Sequence, residues 1–123
     1  MELYKELPIL AFNDAAGCLA WFAQNHTSPT GIWIKIAKKG TGITTATYED
    51  AREAAIIYGW IDGLTHRIDD TYYAIRFTPR RPKGNWSAIN KKIVEQLIKE
   101  GRMHAAGMMH VDSAKKDGRW NKT

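Results

Sequence analysis

The chain has 123 residues, enough for one domain, and its 44% hydrophobic and 25% charged residues mark a folded globular protein rather than a disordered or fibrous one. Eighteen Lys and Arg against thirteen Asp and Glu give a net charge of +5, a modest basic excess that suits anionic partners but is far from histone-like basicity. A single cysteine, Cys18, excludes an intrachain disulfide, a CxxC redox pair and a zinc finger, and points to a reducing, cytoplasmic home.

The N-terminal stretch MELYKELPILAF has an apolar run too short, and broken by Pro8, to be a signal core or a membrane span, so no membrane insertion is expected. Leu7 to Phe12 reads as a short strand. Asn13 and Asp14 can cap a helix in which Ala15, Leu19 and Phe22 recur at helical spacing, running to about Asn25. Ile32 to Ala37 alternates Ile32, Ile34 and Ile36 against Trp33 and Lys35, the period-two pattern of a strand, and is expected at the centre of the sheet. After the turn-rich Lys38-Lys39-Gly40-Thr41-Gly42, Thr47 stands three residues before Asp50 as in a capping box, and the helix that follows ends at Gly59.

Trp60 to Ile68 and Thr71 to Thr78 read as a hairpin turning at Asp69-Asp70, after which Pro79 and Pro82 forbid further ladder bonding. Asn85 or Ser87 can cap a helix whose Trp86, Ile89, Ile93 and Leu97 predict one apolar face, ending at Gly101. A last helix, about His104 to Lys116, carries Met108, Val111 and Met109 and stops at Gly118, leaving a polar tail apart from Trp120. The fold expected is α+β, a single domain spanning 1–123 with a small, mostly antiparallel sheet and about four helices.

The segment from Gly59 to Asn90 concentrates the chemistry. Arg76, Arg80, Arg81 and Lys83, stiffened by two prolines and interleaved with aromatics, form the candidate binding surface with Trp33, Trp60 and Trp86, because guanidinium groups bind oxyanions and rings offer stacking faces. The alternative is a connection whose arginines pair with Asp62, Asp69 or Glu95. Asp62, between Trp60-Ile61 and Gly63, is the one weak catalytic candidate, since desolvation would raise its pKa. No nucleophile or second acid accompanies it, and a hydrogen-bonding structural role is the reading taken. Asp62 and His66 share a strand face at a spacing of four, too far apart for one metal ion, and His26, His104 and His110 add no cluster; no metal or cofactor is expected. Lys38 to Gly42 has the wrong order for a phosphate loop, and Cys18 sits on an apolar helix face as an inert thiol.

Trp33 to Gly42 (WIKIAKKGTG), Gly59 to Gly63 (GWIDG), Arg76 to Pro82 (RFTPRRP), Trp86 to Asn90 (WSAIN), Gly101 to Met103 (GRM), Ala106-Gly107 and Gly118 to Trp120 (GRW) follow one another in an order that resembles the YdeI/OmpD-associated, or bacteriocin-protection, family of small bacterial proteins. The resemblance spans some ninety residues, from Trp33 to Trp120. It implies a link to bacteriocin or antimicrobial-peptide tolerance and to an outer-membrane porin, but no defined reaction. It also implies a further Arg/Lys-rich helical segment after GRW, whereas this chain stops three residues beyond Trp120, as a naturally short member or a piece of a longer one. That departure predicts an apolar patch around Met108, Met109, Val111 and Trp120, covered by a homodimer. The function expected is non-enzymatic binding of an anionic ligand or protein partner, with nucleic-acid binding and an enzyme using Asp62 and an arginine as the alternatives.

Overall fold

Four helices and five strands make up the fold in a computed structural model that describes residues 3–121; the two residues at each end of the chain lie outside it. The order is β1 (Leu3–Tyr4), β2 (Leu7–Ala11), α1 (Ala15–Asn25), β3 (Ile32–Ala37), α2 (Tyr48–Ile57), β4 (Trp60–Arg67), β5 (Tyr72–Pro79), α3 (Ala88–Lys99), α4 (Ala105–Lys116) and a 3-10 turn (Arg119–Asn121). The sheet runs β1-β2-β3-β5-β4, so β3 is central, as its strict alternation predicts. Only β2 and β3 pair in parallel, because α1 carries the chain from the end of one strand back to the start of the next; the other pairs are antiparallel. The fold class is therefore α+β with a mostly antiparallel open sheet.

The helix boundaries follow side-chain chemistry. Asp14 accepts the Gly17 amide, Thr47 and Asp50 close a reciprocal capping box, and Ser87 rather than Asn85 caps α3. Two glycines carry a steric argument. Gly59 has φ of 84°, and a Cβ there would lie 2.8 Å from the Ala106 carbonyl oxygen. A Cβ on Gly107 would come within 2.3 Å of the Ile57 carbonyl oxygen. The end of α2 and the start of α4 thus meet backbone to backbone, and the His104 amide donates to the Ile57 carbonyl at 3.3 Å.

One sheet face is buried by α1 and α2: Ile32, Ile34, Ile36, Ile75, Phe77 and Trp60 pack against Cys18, Phe22, Ala51, Ala54 and Ala55. A second core forms beyond α2, where Ile56, Ile57, Trp86, Val94, Leu97 and Val111 close around α3 and α4. Two expectations are corrected here. The buried face of α3 is Asn90, Val94 and Leu97, with Ile93 half-buried, while Ile89 is 61% exposed; Trp86 lies just before the helix and packs in the same core as Leu97 and Ile93. The patch expected on the last helix is closed within the chain, since Val111 is buried and Met108 and Trp120 pack onto the second core, leaving only Met109 exposed among those four.

Candidate anion-binding site

β5 carries the basic segment into place. Its register sets Phe77 against Ile32 and Arg76 against Trp33, so Phe77 enters the core and Arg76 projects from the face that no helix covers. Pro79 ends the ladder and Pro82 stiffens the exposed turn that follows. Along this open face runs a groove in two adjoining parts. One, of about 330 Å³, is lined by Pro29, Leu64, Arg76, Thr78 and Arg81. The other, of about 170 Å³, is lined by Ile61, Thr78, Arg80, Arg81 and Asn85. Among the described residues no carboxylate lines either part, and Arg76 and Arg81 make no ion pair. Lys83 is exposed beside the groove and approaches Asp117 at 3.9 Å.

Arg80 differs from its neighbours. It is 7% exposed, its guanidinium carbon sits 3.5 Å from the centroid of the Trp86 ring, and among the described residues neither Nε nor Nη2 has a hydrogen-bond acceptor. Burial pulls its pKa down from the usual arginine value to about 10, and the attraction of Asp62 only partly opposes this. Arg119 shows what a satisfied arginine looks like nearby: it donates to Asp117, to the Ser113 hydroxyl and to the Gly84 carbonyl. A guanidinium buried without acceptors costs stability, because desolvation is not offset by hydrogen bonds.

The three tryptophans named with these cations offer no free ring. Trp60 is 1% exposed in the first core, its indole N–H donating to the His26 carbonyl at 3.0 Å. Trp33 points to the open face but is 3% exposed, since Tyr4 meets its ring edge-on at 5.2 Å and His66 at 6.0 Å. Trp86 is 6% exposed, with Arg80 over it and Trp120 tilted against it at 5.0 Å. The stacking role is confined in this structure to Trp86 and its arginine.

Asp62 lies opposite Phe77 on the helix-covered face, half-buried, and accepts the Tyr48 hydroxyl at 2.8 Å. Burial and this bond raise the Tyr48 phenol above its ordinary value. Asp62 does not line the groove. It does not share a face with His66 either: the ladder shifts between Asp62 and Thr65, and His66 pairs with Ala74 on the open side. The bulge at Gly63-Leu64 reverses the parity that unbroken alternation implies, and it brings Leu64, 67% exposed, to the groove edge.

Other groups escaped the sequence reading. Tyr4, from the two-residue β1, stacks on His66 with ring centroids 3.7 Å apart. His26, Tyr58 and His104 form a three-ring cluster with centroids 4.9 to 5.2 Å apart, and His104 Nδ1 accepts the Ala106 amide to cap α4. A larger concavity, about 510 Å³, lies beneath the Lys38–Glu49 stretch. It collects Lys38 and Lys39 together with Glu49, and the buried Nε of Arg52, which stacks on the Tyr48 ring of its wall, has no acceptor among the described residues; Arg80 leaves two such nitrogens, so the arginine groove is the stronger site.

Fold and site together define an α+β domain with an arginine-lined groove on the open side of its sheet. The chain belongs to the family described as Domain of unknown function (DUF8412), whose model matches residues 10–110. No curated protein and no solved structure matches it.

Proposed function

We propose that this protein is a non-enzymatic binding module that takes an anionic group into the groove formed by Arg76, Arg80 and Arg81. The observation that carries this reading is Arg80, a nearly fully buried guanidinium with two N–H donors left without acceptors in a site that has no carboxylate in its lining. Arg76 and Arg81 add exposed cations on the same face. Asp62 lines neither part of the groove and accepts the Tyr48 hydroxyl, which counts against a reaction at Asp62, although Arg80 lies close enough to feel its charge.

The order of motifs that resembles YdeI/OmpD-associated proteins supports a role in bacteriocin or antimicrobial-peptide tolerance as part of the same proposal. An arginine groove repels a cationic peptide, so such a role runs through an anionic component that the protein holds. Titrating the protein with citrate and pyrophosphate while following backbone amide signals tests the reading. Shifts confined to residues 76–85 and the Gly63-Leu64 bulge, weakened by salt, are expected. No shift with either anion sinks it, and selective binding of a single-stranded oligonucleotide with a steep salt dependence replaces it with the nucleic-acid reading.

A further inference from the structure

We infer that the anion taken up by the groove is a phosphate monoester, held by one edge of the Arg80 guanidinium together with Arg76 and Arg81. The inference rests on the anion-binding reading and narrows it to one ligand class. Nε and Nη2 are the two nitrogens whose N–H bonds run parallel along one edge of a guanidinium, the edge that receives two oxygens of a single anion. These are the two atoms of Arg80 that the protein leaves without an acceptor.

Asp62, whose charge Arg80 feels, does not fill that edge and is engaged by the Tyr48 hydroxyl. A carboxylate ligand brings one negative charge and two oxygens to three cations, and leaves most of their charge uncompensated. A phosphate monoester presents three terminal oxygens and close to two negative charges, enough for all three arginines. The organic part of the ester has apolar walls to rest on, Pro29 and Leu64 on one side and Ile61 on the other, in parts of about 330 and 170 Å³ that suit a small molecule. Both Arg80 nitrogens are closed to solvent, so uptake is coupled to a shift of the Arg81–Asn85 turn that shares the pocket. That turn is tethered by the Gly84 amide donating to the Arg81 carbonyl, by Arg119 donating to the Gly84 carbonyl and by Lys83 approaching Asp117.

Calorimetric titration with phenyl phosphate, benzoate and inorganic phosphate, on the wild type and on Arg80→Lys and Arg81→Ala, tests the inference. Phenyl phosphate is expected to bind tightest, and Arg80→Lys, which keeps the charge but loses the two-toothed edge, is expected to weaken it by about tenfold or more. The Trp86 indole resonance should move on saturation, because its ring lies directly against the guanidinium. Benzoate or inorganic phosphate binding as tightly as phenyl phosphate overturns the monoester assignment while the anion-binding reading stands. Unchanged affinity in Arg80→Lys, or an unmoved Trp86 signal in the saturated wild type should that variant fail to fold, overturns the role of Arg80. Failure of every anion to bind defeats both readings.

Discussion

The two faces of the sheet use their polar groups in opposite ways. On the covered face Asp62 has a hydrogen-bond donor in Tyr48, Arg52 stacks on the Tyr48 ring with its buried Nε left without an acceptor among the described residues, and the remaining contacts are mostly apolar packing. On the open face one large ring, Trp33, is sealed by Tyr4 and His66, and among the described residues Arg76 and Arg81 make no ion pair, while Lys83 approaches Asp117 and buried Arg80 feels the charge of Asp62 without bonding it. The covered face therefore sustains the fold, whereas the open face retains charge that the fold does not use. Uncompensated arginines, where packing alone would serve stability better, are what the proposed anion binding requires.

This contrast can be broken by substitution. Phe77→Ala on the covered face should destabilise by about 3–5 kcal/mol in urea denaturation, the cost of a cavity in a closed core, whereas Arg76→Ala on its neighbour position should change stability by no more than about 0.5 kcal/mol. Similar losses at both positions would show that the open face also holds the fold. Gly107→Ala, at the contact of α4 with the end of α2, should cost about 1–3 kcal/mol by forcing the two helices apart, read in the same unfolding curves. Tyr48→Phe should cost about 1 kcal/mol, because Asp62 then loses its donor but stays half-exposed to water.

A smaller effect comes from His110, whose pKa is lowered by burial first and then by Arg80 and Arg119. A base with a depressed folded pKa is neutral in the native state while the unfolded chain takes up a proton, so its contribution is present above the unfolded value near 6.5 and is lost as pH falls below it. Thermal melts between pH 7.5 and 5, about the range in which an imidazole titrates, should fall less steeply in His110→Gln than in the wild type. Parallel slopes would remove His110 from the account.

Much of the fold was legible because its signals are local. The alternation of Ile32, Ile34 and Ile36, the Thr47 and Asp50 pair, and the glycines at 59, 101 and 118 each act within a few residues, and each predicted its element. Features that depend on distant partners were not legible. The bulge after Asp62 is set by pairing with β5, and it inverted the face assigned to His66. The buried face of α3 is set by where α2 and α4 stand, which left Ile89 outside. Gly59 and Ala106-Gly107 stood out only as separate motifs, whereas in space they are one close backbone contact. At the site, the basic run was visible in the sequence, but the difference between buried Arg80 and exposed Arg81 arises from Trp86, six residues further on, and no local pattern marks it.

The most direct test of the claim that Arg80 is kept for a ligand is Arg80→Met, which fills similar volume against Trp86 without the charge. Thermal and urea unfolding should show a variant within about 1 kcal/mol of the wild type or more stable, as expected when a buried, unpaired charge is replaced by an apolar side chain, together with lost response to phenyl phosphate. A loss of about 3–5 kcal/mol, the cost of breaking a buried ion pair, in a protein that binds no anion would show that Arg80 serves the fold and would contradict the account.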